Sequence, residues 1–274
     1  MKIAMFGHKR IPSREGGVEI VVEELASRMV KTGNEVTCFN RNGKGCVSQK
    51  YGKRYNFNGI EVKTVPTIDK KGMAAVTAAF FSSVMAAFGK YDIVHIHAEG
   101  PAFFSWIPKL FHKKIVVTVH GLDWQREKWK GGFGAKFIRK GEENAVKYAD
   151  EIIVLSKNVE QYFKTRYNRI TRFIPNGVNR PTIRKADRIR SVYGLEKNGY
   201  ILFLGRLVPE KGIMYLIEAF SKVNTDLKLV IAGGSSDTDE YEKELRMKAE
   251  KDSRILFTGF VEGDLLEELY SNAY

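Results

Sequence analysis

Acidic residues are scarce in the first two thirds of this chain. Residues 1–181 carry 31 Lys and Arg against 16 Asp and Glu, whereas from Thr182 onward the counts are 14 and 16. Cysteine is scarcer still: Cys38 and Cys46 are the only two, which excludes a disulfide framework and favours a reducing compartment. A secretory leader is not readable, because the opening apolar run Ile3-Ala4-Met5-Phe6 is cut by Gly7, His8, Lys9 and Arg10. A cytosolic location is therefore expected. The longest apolar stretch, Gly72 to Phe88, carries Thr77, Ser82 and Ser83 and falls short of the ~20 residues a spanning helix wants. It reads as a buried or membrane-resting helix. Disorder and collagen-like repeats are excluded by ordinary globular usage, 43% hydrophobic and 28% charged. The dinucleotide fingerprint G-x-G-x-x-G is missing after the first strand, which counts against a nicotinamide or flavin enzyme.

What is present is an alternation of short β-branched runs with helical patterns, the mark of βαβ units and a parallel sheet. The expected class is α/β. Strands are expected at Lys2–Phe6, Glu35–Asn40, Ile60–Val65, Asp92–Ile96, Lys114–Val119, Glu151–Leu155 and Arg172–Ile174. Helices are expected at Gly17–Thr32, Gly72–Phe88, Pro101–Phe111, Gly132–Tyr148 and Lys157–Arg166. Arg41–Gly59 is too polar and Gly-rich to read as more than a loop. Two prolines and an Asn-Gly turn in Pro175–Pro181 mark a linker, giving an N-terminal domain at 1–174, a linker at 175–183 and a second domain at 184–274. In the second domain the expected strands are Tyr200–Leu204, Leu227–Ala232 and Arg254–Thr258. Its expected helices are Gly212–Val223, Asp239–Lys251 and Asp264–Asn272. Three strands are fewer than the five or six usual in a doubly wound domain, so this domain is expected to be partial.

Two strand-to-helix junctions carry the chemistry. After the first strand, Gly16 and Gly17 open a helix whose free N–H groups and positive dipole end suit an anion. Lys9, Arg10 and Arg14 lie around that end, a poor place for cations without a negative partner. The second domain repeats this arrangement in Gly205-Arg206-Leu207-Val208-Pro209-Glu210-Lys211-Gly212, beyond the carboxyl end of its first strand. His95 and His97 share one face of a strand by alternation, but no third metal ligand is evident, so no metal site is expected.

These segments match a known family. GGVE entering the first helix, VLS near Val154, IPNGV in the linker, GRLVPEKG in the second domain and TGFV after its third strand resemble the GT-B glycosyltransferases of family 4, across the whole chain. The stretch HKRIPSREGGVEIVVEELA is most similar to the branch with bacterial polysaccharide rhamnosyltransferases. The resemblance implies two Rossmann-like domains facing a cleft and a retaining transfer from a nucleotide-diphosphate sugar to a saccharide or lipid-diphosphate-linked acceptor in cell-surface polysaccharide synthesis. It implies that Arg206 and Lys211 hold the donor diphosphate with Gly16 and Gly17, that Gly259, Phe260 and Val261 lie against the nucleobase, and that His120 contacts the transferred sugar. Arg10, Arg14, Glu19 and Asp123 are the acceptor-side candidates. No cofactor or metal is implied, since Arg206, Lys211 and a helix terminus would neutralise the leaving diphosphate. The family's two glutamates, eight residues apart, would fall beyond Tyr274, so the chain is expected to be a fragment that is inactive alone.

The basic N-terminal half suits an anionic membrane surface at the inner leaflet, with Trp106, Trp124, Trp129, Phe103 and Phe104 as contacts. Two other readings stay open from the residues: a nucleotide-sugar epimerase or hydrolase on the same fold, and a non-catalytic basic protein binding membrane or nucleic acid. The non-catalytic reading ranks last, because no helix reads as a groove-entering element and the cations are scattered.

Overall fold

The computed structural model describes residues 1–14, 16–43, 52–70, 72–125, 132–234 and 239–274. Cys46, Lys71 and Trp129 fall outside them. The chain divides into two compact units, Met1–Gly177 and Val178–Tyr274.

The first unit runs β1 (Lys2–Phe6), α1 (Gly17–Lys31), β2 (Glu35–Arg41), β3 (Arg54–Phe57), β4 (Ile60–Val65), α2 (Met73–Phe88), β5 (Ile93–His97), α3 (Glu99–Ala102), α4 (Trp106–Leu110), β6 (Lys114–Val119), α5 (Phe133–Tyr148), β7 (Glu151–Val154), α6 (Lys157–Tyr167) and β8 (Arg172–Phe173). The strands form one sheet in the order β3-β4-β2-β1-β5-β6-β7-β8. Every pairing is parallel except β3 with β4. Alternation along the strands builds two cores. On β1, Ile3 and Met5 pack with Val22 and Ala26 of α1, while Ala4 and Phe6 face the other way into a cluster with Ala78 and Ala86 of α2. Strand order reverses between β1 and β5, and such a switch point opens a crevice at the strands' carboxyl ends.

Two expectations change. The loop expected over Arg41–Gly59 holds strand β3, whose Tyr55 and Phe57 pack on the α1-side core; four residues with polar neighbours do not stand out in a sequence, and it is the antiparallel register against β4 that defines them. Among the described residues the sheet thus has eight strands rather than seven. The helix expected over Pro101–Phe111 is broken into α3 and α4. The apolar helix α2 buries Ala78, Ala79, Ser82, Ser83, Ala86 and Ala87 against the unit and leaves Met73, Phe80, Phe81, Met85 and Phe88 exposed. Among the described residues, no helix is long and apolar enough to cross a membrane.

The second unit runs α7 (Arg188–Tyr193), β9 (Tyr200–Leu204), α8 (Ile213–Phe220), β10 (Lys228–Ala232), α9 (Asp239–Ala249), β11 (Ile255–Gly259) and α10 (Gly263–Asn272). Its sheet is parallel, in the order β11-β10-β9. Leu229 and Ile231 face α8 and α9, and Val230 and Ala232 face α7 and α10. Helix α7 was not expected from the sequence. Its amino terminus is held by the buried Glu268 carboxylate, which accepts from the Asp187, Arg188 and Ile189 amides at 3.2, 2.8 and 3.0 Å. The cap comes from a residue 80 positions away, so no local capping signal marks it.

Helices α3 and α5 touch backbone to backbone at Gly141, where an added Cβ would lie 2.0 Å from the Glu99 carbonyl oxygen. Gly141→Ala is therefore expected to push α3 off α5 and to destabilise the protein by roughly 1–3 kcal/mol, the usual cost of overpacking a core. Urea denaturation of the two forms would measure it; an unchanged midpoint would show that the helices can part freely.

Candidate functional site

The loop after β1 is pinned by hydrogen bonds rather than left as a run of solvated cations. The Asn40 side chain on β2 donates from Nδ2 to the Ile11 carbonyl at 2.9 Å and accepts the Ile11 amide on Oδ1 at 3.0 Å. That orientation makes Oδ1 an acceptor toward His8 as well, whose Nε2 lies 3.0 Å away. His8 must then carry its proton on Nε2, and its buried Nδ1 has no partner among the described residues. Burial lowers the His8 pKa to about 4, so the ring stays neutral. Glu19 of α1 accepts the Lys9 amide at 2.8 Å, and Arg14 pairs with Glu23 at 2.8 Å. The carboxylate that pairs with Arg14 is thus on α1 itself.

The two glycines at the start of α1 differ. Gly16 is the N-cap in extended conformation, and an added Cβ there would sit 2.1 Å from a Glu19 carboxylate oxygen. Gly17 is exposed, and nothing lies within 4 Å of its missing Cβ. The fold's own packing does not require a glycine at 17.

At the switch point, Gly7 (φ +113°) brings its backbone against the end of β5, with an added Cβ only 2.0 Å from the His97 carbonyl oxygen. Beside that contact, three imidazoles gather. His95 bonds Thr118 Oγ1 at 2.8 Å, His97 Nδ1 lies 3.1 Å from His120 Nε2, and ring centroids are 4.3 and 5.3 Å apart along the row. Alternation put His95 and His97 on one face as expected; the fold adds His120 from the next strand. Even so, no group of three or more His, Cys, Asp or Glu among the described residues is arranged to hold a metal ion.

His120 leads into a short helical turn, Asp123–Gln125, clamped from beneath by two carboxyl groups that the sequence did not single out. Glu99, fully buried, accepts the Asp123 amide at 2.8 Å. Glu142 of α5 accepts Trp124 Nε1 at 3.1 Å and the hydroxyls of Tyr162 and Tyr167 at 2.8 and 2.5 Å. Burial, with Glu142 close by, pushes Glu99 up to about 10, so its carboxyl is protonated at neutral pH. Arg139 stacks over Trp124 at 4.6 Å, and Phe103 stacks on Phe137 at 4.5 Å. Trp124 and Phe103 are thus half-buried and packed against their neighbours, whereas Trp106, on α4, is exposed.

In the second unit the loops at the strand ends are stitched together by backbone. Gly205 donates to Ala232 O at 3.0 Å, Leu207 to Gly234 O at 3.1 Å and Gly233 to Gly259 O at 2.8 Å. Gly233 (φ +145°) allows this, since a Cβ there would meet the Gly205 carbonyl oxygen at 1.8 Å. From that platform Arg206 and Lys211 both project exposed. Lys211 ends a 3-10 turn, Pro209–Lys211, and Gly212 (φ +67°) leads into α8 at Ile213. Gly259 and Phe260 lie at the same edge, with Phe260 exposed, whereas the Val261 side chain is turned into the core beside Tyr200 and Leu269. Val261 can offer a ligand only its backbone.

Residues 15–180 match the profile of Glycosyltransferase Family 4, and residues 185–274 match that of Glycosyl transferases group 1. The chain belongs to glycosyltransferase family 4. The fold is the GT-B type of that family. Relatives include an uncharacterized glycosyltransferase of Methanocaldococcus jannaschii, 28% identical over all of this chain and 73% of the relative, and the alpha-maltose-1-phosphate synthase of Mycobacterium tuberculosis, 23% identical over 90% of this chain and 64% of the relative. Among solved structures, sucrose-phosphate synthase from Thermosynechococcus elongatus superposes with a TM-score of 0.80 at 22% identity, over 99% of this chain and 73% of that one. Anabaena HepE in complex with UDP and glucose gives 0.74 at 19%, over 99% and 72%. The chain therefore spans about two thirds to three quarters of the length of these proteins.

The buried titratable groups set the pH range of the fold. Glu99 keeps its proton up to about 10 when folded, against an ordinary 4.5. Between those values the unfolded chain binds fewer protons, and stability falls as pH rises. His8 and His95 have the reverse sign: with pKa values lowered to about 4 from 6.5 by burial, they bind protons more readily unfolded, and stability falls as pH drops from 6.5 through 4. Glu99→Gln is expected to flatten the alkaline limb only. Unfolding midpoints from pH 4 to 9 would check this, and an alkaline limb unchanged by the substitution would place the proton elsewhere.

Proposed function

We propose that the protein is a retaining glycosyltransferase that moves a sugar from a nucleotide-diphosphate donor to a saccharide or lipid-diphosphate-linked acceptor in surface-polysaccharide synthesis. The observation that carries the reading is the pair Arg206 and Lys211. Both are exposed cations on a rigid backbone platform at the carboxyl edge of a parallel sheet, where such sheets bind ligands. In this reading they hold the donor diphosphate and stabilise the charge that develops as the glycosidic bond to phosphate breaks, the task a divalent metal performs elsewhere. No metal is then required, and the departing phosphate oxygen takes the proton of the attacking acceptor hydroxyl.

Gly259 and Phe260 serve the nucleobase, with Val261 contributing backbone. In the first unit, Gly16 and Gly17 offer amides to an anion; the absence of any packing reason for a glycine at 17 supports close approach by a ligand. His120 contacts the transferred sugar, and Arg10, Arg14, Glu19 and Asp123 serve the acceptor. HepE, a structural neighbour, is solved with UDP and glucose, which makes uridine the first nucleotide to try. An acceptor carried on lipid would bring the basic first unit to the inner membrane face, where the exposed Phe81, Met85 and Phe88 of α2, with Trp106 and Leu110 of α4, would meet lipid without spanning it.

Calorimetric titration of UDP, GDP and dTDP into the protein is expected to show binding of one of them. Arg206→Ala is expected to weaken that binding by tenfold or more, as loss of a charge-assisted contact does. Binding of none of the three, or binding indifferent to Arg206, would overturn the donor assignment.

A further inference from the structure

The row of imidazoles at the end of β5 bears on how His120 works. His97 is fully buried, and its Nε2 has no hydrogen-bond partner among the described residues. Its other nitrogen, Nδ1, is 3.1 Å from His120 Nε2. A neutral imidazole has one N–H and one lone pair, so the bond between the rings can run in two directions. If His120 donated, the His97 proton would have to sit on Nε2, leaving a buried N–H with no acceptor. If His97 donates from Nδ1, what is left unsatisfied is a lone pair. Orphaned buried N–H groups are the rarer and less tolerated of the two in folded proteins. The arrangement therefore selects His97 Nδ1–H donating to His120 Nε2.

We infer that His97 is a positioning residue that commits His120 to the Nδ1–H tautomer, so that His120 meets its substrate as a hydrogen-bond donor and not as a base. With Nε2 occupied as an acceptor, the one proton of neutral His120 resides on Nδ1. Protonating His120 would set two N–H groups against each other across 3.1 Å, so the contact also opposes the imidazolium. His95 beside His97 and His8, which shares the switch point, are both neutral by burial and supply no counter-charge that would favour a cation. Thr118 holds His95 in place from β6, and Gly7 closes the backbone over His97 from β1. The His97 ring is fully buried and lies between those of His95 and His120. The inference of a donor role toward a sugar rests on the function proposed above; the tautomer does not.

The test reads the tautomer directly. Two-dimensional 15N NMR of the imidazoles of the whole protein, with the His120 signals identified by their loss in His120→Gln, is expected to show His120 as Nδ1–H from pH 6 to 8. A His120 proton found on Nε2 in the unsubstituted protein overturns the inference without recourse to any variant. His97→Leu is expected to release the tautomer and raise the His120 pKa, while His97→Asn, which keeps an N–H donor, preserves both. An unchanged His120 in folded His97→Leu also overturns it. Where transfer activity is measurable, His97→Leu is expected to lower kcat on the order of tenfold to a hundredfold, the range for groups that orient a functional side chain, with little change in the donor KM. Loss of activity with the tautomer unmoved would count against His97 as the determinant, and the expected tautomer with no transfer by any form would count against the proposed function alone.

Discussion

A backbone contact organises the first unit: Gly7 lies against the carbonyl of His97, closer than any side chain would permit. It occurs where strand order reverses between β1 and β5, so the chain leaving β1 turns one way and the chain leaving β5 the other. Because Gly7 has no Cβ, the chain leaving β1 can lie against the end of β5 before the loop turns toward β2, where His8 is buried with Asn40 as its partner. The same Asn40 side chain fixes Ile11, and Glu19 accepts the Lys9 amide. The second unit uses the same device, with Gly233 letting the Gly205 carbonyl approach. In both units a glycine at a strand end exchanges side-chain bulk for backbone proximity, and this is what allows neighbouring loops to form one surface.

Polar groups in the first unit are buried in unusual depth for residues that could serve a polar substrate. Burial removes charge from them: His8, His95 and His97 stay neutral and Glu99 stays protonated. Outside, arginines and lysines outnumber the carboxylates, 31 to 16 over residues 1–181, and they keep their protons at any ordinary pH. The result is an interior of neutral hydrogen-bonding groups beneath a cationic exterior. Such an interior orients side chains without competing for the charge of an anionic ligand, because fixed neutral dipoles need not reorganise as charge shifts.

Much of the architecture was legible in the residues. Strand periodicity placed β1, β2, β4, β6, β7, β9, β10 and β11 closely, because buried parallel strands are nearly continuous runs of Val, Ile and Leu. Strand β3 was not legible, since Arg54–Phe57 alternates weakly and gains its identity from an antiparallel partner. Helix α7 was missed because its cap, Glu268, arrives from the far end of the unit. Among the candidate site residues, the glycines, Arg206 and Lys211 could be proposed from their placement at strand-to-helix junctions. Glu99, Glu142 and Asn40 could not, because a carboxylate or amide that folds inward has the same letter as one that faces water.

The sequence alone determined the class of each segment, the division into a basic and a near-neutral half, and the family, since these depend on composition and on spacing along the chain. Only the tertiary structure decided which histidines touch, that Val261 turns inward while Phe260 does not, and that Trp124 props a loop from within. Those outcomes depend on contacts between residues far apart in sequence, which local periodicity does not encode. His97 and His120 are 23 positions apart and meet because β5 and β6 pair in parallel with His97 opposite Thr118; one step of register would have faced them away from each other.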